Sequence, residues 1–314
     1  MSVRFAPSPT GRFHIGNLRT AWISHKIACL AGLPWALRFE DIDFPRVVPG
    51  AREQQLEDLA RLGLVADEMV IQSQRHDRHL SLFRAAISSG RIYPCACSRR
   101  EVVEALERAA SAPHGPQPVY HGHCRDLAGK EVRAAFERDS GGSLAWRFRE
   151  SAASGAHDFV VGRSGGPGGA GAFELQAFVP SYNWACAVDD LDGGYRLLVR
   201  AADLAQVLEQ QREIQRWMLA VGEARGARGA ASALPAVFHC ALVTADDGTR
   251  LEKRTRGVTL PELEARGISP ARLAELFAAS FETPRDLDAT GALLSPGSIG
   301  AEPRETMTLS QLGL

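Results

Sequence analysis

The strongest constraint on this chain is a strand, a proline turn and a helix set in immediate succession at its start, with a second strand close behind. Val3-Arg4-Phe5-Ala6 is extended in character and is halted by Pro7 and Pro9. A helical pattern runs from about His14 or Ile15 to Ala31, and Gly32 stops it. Trp35-Ala36-Leu37-Arg38-Phe39 reads as the second strand. Ala51 to Leu62 reads as a helix with Leu56, Leu59 and Leu62 on one face, and Asp77 to Ser89 as another, ended by Gly90. Strands alternating with helices pair through crossovers rather than hairpins. The pattern therefore predicts an α/β fold with a parallel sheet.

Residues 91–145 break that rhythm. They hold cysteines, the loop Ala112-Pro113-His114-Gly115-Pro116 and a charged helix near Glu131–Glu137, and read as an inserted unit. Strands return at Leu144–Arg149 and Asp158–Val161, and Gly162–Ala172 predicts a flexible glycine-rich loop. Ser181–Val188 and Tyr195–Val199 rejoin the core. Asp203–Val221 reads as a helix and Ala236–Val243 as one buried strand. Two helices are expected near Leu260–Arg266 and Pro270–Ala279, then a loose tail with little apolar periodicity.

Hydrophobic residues make up 45% and charged residues 23%, as in soluble globular chains. No apolar run has the length of a membrane span, and Met1-Ser2-Val3-Arg4-Phe5 has no apolar signal core, so a cytoplasmic location is expected. A net charge of -1 offers no global attraction for nucleic acid, and any RNA contact must come from a local patch. Of the six cysteines, Cys29, Cys186 and Cys240 sit in apolar stretches and read as small core residues. Cys95, Cys97 and Cys124 lie close together, which in a cytosolic chain suggests metal rather than disulfides. Three thiolates and one N or O donor make a tetrahedral zinc site. Tyr120, His121 and His123 are the candidates for the fourth position.

The stretch Phe5-Ala6-Pro7-Ser8-Pro9-Thr10-Gly11 leads to His14-Ile15-Gly16-Asn17 at the start of the first helix. Free N–H groups and a partial positive charge at a helix N-terminus suit phosphate. Gly16 lets a base or ribose approach the backbone, and His14 can hydrogen-bond phosphate oxygens as charge builds there. This string resembles the first signature of class I aminoacyl-tRNA synthetases, in its glutamyl branch. Arg38-Phe39-Glu40-Asp41-Ile42-Asp43 resembles that branch's acidic segment. Asn17 stands where the signature has its last histidine; it can donate a hydrogen bond but carries no charge. Ser181-Tyr182-Asn183-Trp184-Ala185, Val188-Asp189-Asp190 and Val199-Arg200-Ala201-Ala202-Asp203-Leu204 resemble the branch's amino-acid site. Arg250-Leu251-Glu252-Lys253-Arg254 occupies the position of the mobile loop that brings cations to ATP. Lys253 matches its second lysine, Arg250 replaces the first, and Glu252 stands where serine is usual. The order Cys95, Cys97, Tyr120, Cys124 is similar to the zinc element of the glutamyl-queuosine tRNA(Asp) synthetases, which favours Tyr120 over the histidines.

The resemblance, over roughly residues 4–257, implies a class I nucleotide-binding fold. Its catalytic domain would fall in two halves, 1–90 and 146–257, around a zinc-containing insertion at 91–145. A short helical segment and tail would occupy 258–314. Activation of glutamate as an adenylate is implied, without tRNA, with transfer to queuosine in the anticodon loop of tRNA(Asp). Residues 258–314 are too few for the large helical anticodon-binding region of full-length glutamyl synthetases, which points to the short paralogues. The implied roles put His14, Asn17 and Lys253 in catalysis, and these with Gly16 on ATP. Arg4, Phe5, Ala6, Pro7, Ser8, Glu40, Tyr182 and Arg200 fall to glutamate, and Cys95, Cys97, Tyr120 and Cys124 to a structural Zn(2+). Mg(2+) would accompany ATP, and a monomer is expected. The alternatives are a minimal glutamyl-tRNA synthetase charging the tRNA 3′ end, a non-catalytic RNA-binding paralogue, and a nucleotidyltransferase sharing only the fold.

Overall fold

Strand polarity and side-chain alternation set the architecture. The computed structural model describes residues 1–98, 101–102, 120, 122–139, 143–150, 157–224, 233–249, 251, 258–281 and 293–314. The chain forms two units. The first comprises Met1–Gln74, Asp189–Leu208 and Ala224–Leu314, the second Arg75–Val188 and Glu209–Glu223.

The first unit is built on a six-stranded parallel sheet in the order β11-β9-β8-β1-β2-β3. Its strands are β1 (Val3–Phe5), β2 (Trp35–Phe39), β3 (Glu68–Ile71), β8 (Leu197–Ala201), β9 (Ala236–Cys240) and β11 (Ile299–Ala301). Helix α1 (Ile15–Ala31) covers one face and α2 (Ala51–Arg61) follows β2. On the α1 face Val3, Phe5, Trp35, Leu37, Phe39, Leu197, Val199, Ala236 and Phe238 join Ile15, Leu18 and Ile27 in one core. Alternation sends the intervening residues to the other face: Arg4, Ala36, Arg38, Leu198, Arg200, Val237 and His239. There Ala36, Leu198 and Val237 pack together with Tyr195 and Leu208. Arg38, Arg200 and His239 lie nearer the carboxyl ends of their strands, and Arg4 is level with Ala36 and Leu198. Cys29 faces solvent on the outer side of α1, whereas Cys186 and Cys240 are buried as expected for core residues.

The C-terminal stretch holds more than helices. Helices α7 (Leu260–Ala265) and α8 (Pro270–Ser280) appear where the sequence predicts them. A Thr259–Glu262 capping box starts α7, and Ser269 caps α8. The tail then adds β11 to the edge of the main sheet and pairs β12 (Thr306–Thr308) in parallel with β10 (Leu242–Thr244). Three-residue strands are too short to display a period, which is why the sequence reads there as loose. A buried ion pair fastens the segment: Arg19 of α1 donates to both oxygens of Glu302 at 2.6 and 2.7 Å. Glu302 also accepts the Ala241 N–H at 2.7 Å. That bond explains why the strand expected over Ala236–Val243 is two strands: Ala241 leaves the main ladder.

The second unit holds an antiparallel sheet, β4 (Ile92–Cys95), β5 (Leu144–Phe148), β6 (Phe159–Ser164) and β7 (Val179–Pro180). Helices α3 (His76–Ser88), α4 (Gly129–Asp139) and α6 (Leu208–Ala220) accompany it, with the first turns of α5 (Tyr182–Asp192). Phe83, Trp146, Phe178 and Trp184 form an aromatic cluster. Gly162, expected in a flexible loop, lies in β6, paired with Trp146 and Pro180, and a Cβ there would meet Phe178 at 2.7 Å. The helix expected over Asp203–Val221 begins as a 3-10 turn, Ala202–Val207, before α6. Among the described residues no helix is long and apolar enough to cross a membrane.

Glu302→Ala would leave the fully buried Arg19 without its counter-charge. Urea unfolding should show a loss of about 3–5 kcal/mol, the usual cost of removing one partner of a buried pair. A change below 1 kcal/mol would mean that the tail is not part of the core.

Candidate active site and metal centre

Four buried charged side chains meet on the charged face of the parallel sheet. Arg4 of β1 donates through Nε and Nη2 to Asp190 Oδ1 at 3.1 and 2.6 Å, and through Nη2 to Oδ2 at 2.7 Å. Arg38 of β2 donates to the same Asp190 oxygen at 2.6 Å and to Glu40 Oε1 at 2.8 Å. Burial alone would raise the Asp190 carboxyl, but Arg38, Arg4 and then Arg200 outweigh it and hold the group below the ordinary range. Arg4 is likewise raised: burial would lower it, and Asp190 more than offsets that. Arg200, at the end of β8, donates Nε to His239 Nε2 at 3.2 Å. Asp189 accepts from Gln72 at 2.9 Å.

The turn after β1 runs beside this cluster. Glu40 N–H donates to Pro7 O at 2.9 Å and Val48 N–H to Pro9 O at 3.0 Å. Gln55 of α2, fully buried, donates its amide to Ser8 O at 3.1 Å and Gly11 O at 2.6 Å. Ala6, Pro7 and Ser8 are thus fixed by their backbone. The ring of Phe5 stacks on Trp35 at 6.4 Å within the core, so only the Phe5 backbone is available to a ligand.

At the start of α1 the His14 ring caps the helix, Nδ1 accepting the Gly16 N–H at 3.1 Å. An accepting Nδ1 leaves Nε2 to carry the proton and donate. A Cβ at Gly16 would come within 2.9 Å of that ring and 3.5 Å of Val243, so a side chain there would displace the cap. The Asn17 amide oxygen is buried with no hydrogen-bond partner among the described residues. Ile15 N–H donates to Val258 O at 2.8 Å, and His14 bridges to Thr259, so the chain leaving the basic pentad is tied to this helix start. Lys253, with Arg250, Glu252, Arg254 and Arg256, lies outside the described residues. Tyr182 belongs to the second unit, at the first residue of α5, and is partly exposed.

Also in the second unit, the sulfur atoms of Cys95, Cys97 and Cys124 lie within 4.8 Å of one another. The Tyr120 hydroxyl sits among them, 3.4 Å from Cys95 Sγ and 3.9 Å from Cys97 Sγ, and accepts the Cys124 N–H at 2.9 Å. His123 is exposed, and His121 lies outside the described residues. Arg147 places its guanidinium 3.6 Å over the Tyr120 ring and donates Nε to Cys95 Sγ at 3.2 Å. Hydrogen bonds with Cys124 and Cys97 pull the Cys95 thiol down, while those with Cys124 and Cys95 raise Cys97. Three adjacent sulfurs cannot all ionise without a cation, and the donor set fits a thiophilic dication.

The family model described as "tRNA synthetases class I (E and Q), catalytic domain" matches residues 1–286. The chain is 36% identical to the glutamyl-Q tRNA(Asp) synthetase of Nocardia farcinica, over 99% of this chain and 94% of that one. It is 36% identical to the protein of that name in Deinococcus radiodurans, over 87% and 86%. The chain belongs to the glutamyl-Q tRNA(Asp) synthetase family of class I synthetases. The fold matches a glutamate tRNA ligase from Elizabethkingia meningosepticum, solved in complex with its amino acid, with a TM-score of 0.66 at 20% identity. The match covers 94% of this chain and 64% of that one.

Sequence reading places Asp190 in an amino-acid-site motif, quotes Arg38 in the acidic segment without giving it a role, and passes over Gln55, Asp58 and Arg147. The available signal for Asp190 is a pair of aspartates in the otherwise apolar Trp184–Leu191 stretch of α5. For Arg38 it is a charge at an inner position of a buried strand.

Asp58, fully buried on α2, pairs with Arg12 behind the same turn. Burial pushes its carboxyl up to about 6, against the pull of Arg12. A folded value above the unfolded one means that the folded state binds this proton more tightly. Its contribution is full below pH 4 and is lost as pH rises through about 6, amounting to about 2–3 kcal/mol. Urea unfolding between pH 4 and 8 should therefore show a falling component that Asp58→Asn removes. Parallel profiles for the two proteins would contradict the assignment.

Proposed function

We propose that the chain activates glutamate as glutamyl-adenylate with ATP, without tRNA, and transfers it to queuosine in the anticodon loop of tRNA(Asp). The observation that carries this reading is the charged cluster of Arg4, Arg38, Glu40, Asp190 and Arg200 at the carboxyl ends of a parallel sheet, in the same unit as a glycine-containing helix N-terminus. Ligands of open α/β sheets bind at those strand ends. The names of the relatives fit the same chemistry.

A glutamate α-carboxylate oxygen attacks the ATP α-phosphorus and pyrophosphate leaves. Arg4 and Arg200 hold substrate carboxylate, and guanidinium suits a two-point grip. Glu40 takes the α-ammonium; a carboxylate has acceptor capacity beyond its bond to Arg38. The backbone of Phe5–Ser8 completes the amino-acid site of this unit. His14, through Nε2–H, faces the phosphates, and Lys253 is the cation assigned to them by its match to the mobile-loop lysine. Asn17 offers its buried amide oxygen to a nucleotide hydroxyl, and Gly16 keeps the backbone accessible. Magnesium bound with ATP would neutralise phosphate charge. An RNA hydroxyl then attacks the adenylate carbonyl and AMP leaves, with no protein nucleophile needed. Positioning and electrostatics supply the rate. A zinc ion held by Cys95, Cys97, Tyr120 and Cys124 would have a structural role, since four protein ligands leave no open position. The tRNA partner places this work in the cytoplasm.

Four outcomes test the reading. Purified protein should catalyse glutamate-dependent pyrophosphate exchange into ATP without tRNA and should reject glutamine. Arg200→Ala should weaken activation by about 2–5 kcal/mol, the cost of truncating a buried charged partner. Glutamate should be recovered on a queuosine-containing tRNA(Asp) anticodon stem-loop, and label found only on the terminal adenosine of whole tRNA would instead indicate an ordinary glutamyl synthetase. Separately, metal analysis should find one zinc per chain, lost in Cys97→Ala. A larger loss in His123→Ala than in Tyr120→Phe would refute Tyr120 as ligand.

A further inference from the structure

Arg38 has no direct role in that scheme, yet it grips both ends of the amino-acid site. It is fully buried. One terminal nitrogen holds Asp190 at 2.6 Å, and Asp190 in turn clamps Arg4 through two nitrogens. The other holds Glu40 at 2.8 Å. A guanidinium is planar and rigid, so the spacing of its two terminal nitrogens is fixed. Arg38 therefore ties the group assigned to substrate carboxylate to the group assigned to substrate ammonium. The Glu40 end is braced a second time, by its N–H on Pro7 O.

We propose that Arg38 is a positioning residue that sets the length of the amino acid the site accepts. By fixing Arg4 relative to Glu40 it admits the carboxylate-to-ammonium span of glutamate and rejects dicarboxylic amino acids one methylene shorter or longer. The inference rests on the assignment of Arg4 and Glu40 to the amino acid. Lysine at this position would keep the charge but, as a single point donor, could not span Asp190 and Glu40. A residue that merely neutralised Asp190 would affect stability without affecting length preference.

The test is pyrophosphate exchange with glutamate, aspartate and 2-aminoadipate, each titrated against wild type and Arg38→Lys, with ATP titrated separately. The wild type should prefer glutamate by more than about tenfold in kcat/KM, within the range one methylene commonly provides. Arg38→Lys should shrink that preference by about tenfold and raise KM for glutamate, with KM for ATP changed by less than about twofold. Equal loss for all three acids, with the preference intact, would overturn the proposal. Asp190→Asn keeps the shape of the relay and breaks its charge, so it should relax the same preference; an unchanged preference there counts equally against. Should neither variant fold, a wild type that uses the three acids alike overturns the inference on its own. Exchange with none of them would instead remove the reading on which it rests.

Discussion

One buried carboxylate makes the rest of the site possible. Arg4 and Arg38 lie on adjacent strands of the same sheet face and converge on Asp190, with Arg200 close enough to favour its ionised form. Two guanidiniums out of water without a shared anion would repel one another and face a desolvation cost of several kcal/mol each. The Asp190 carboxylate removes both difficulties. Such a cluster is a poor way to gain stability, because apolar residues of similar volume usually do as well or better. Its presence near the carboxyl edge of the sheet is the reason a ligand is proposed there. The apolar trio beneath it, Ala36, Leu198 and Val237, supplies the packing that the charges do not.

The side of the site proposed for the nucleotide is organised by backbone rather than by charge. A proline turn has few N–H groups to spend, and Gln55 fixes its carbonyls instead, holding Ser8 and Gly11 from α2. His14 closes the first turn of α1 with its own ring, which directs its remaining N–H away from the helix. Gly16 is required there by space: any side chain would collide with the ring that caps it. The C-terminal tail contributes to the same region indirectly. Glu302 locks α1 through Arg19 and redirects the chain at Ala241 into β10, whose Val243 borders Gly16.

Much of the parallel core was legible because its determinants are local. Alternation along Val3–Phe5 and Trp35–Phe39, proline stops and glycine caps each declare themselves within a few residues. The helices Leu260–Ala265 and Pro270–Ser280 were legible for the same reason, since Thr259 and Ser269 announce their starts. What stayed hidden depends on partners far along the chain. Asp190 meets Arg4 across 186 positions and Glu302 meets Arg19 across 283, and no window of sequence contains both. The strands β11 and β12 hid differently: at three residues each, their stability comes from the ladder they join rather than from their own pattern.

The two clusters answer the same electrostatic problem with opposite signs. In the first unit, an excess of guanidinium is made tolerable by one aspartate from a helix. In the second, three thiols and a phenol are crowded within contact distance, and the balancing charge is Arg147 from the neighbouring strand β5. Arg147 does this with two faces of one group: its plane lies on the Tyr120 ring and its Nε–H points at Cys95. A cation on a ring face and a donor on a sulfur both favour negative charge on the atoms they touch. Donors placed behind a metal's ligands orient them and raise affinity. A tyrosine oxygen among thiols, rather than a histidine, is then consistent with its surroundings. His123 is exposed, whereas Tyr120 is held by the Cys124 N–H on one side and Arg147 on the other.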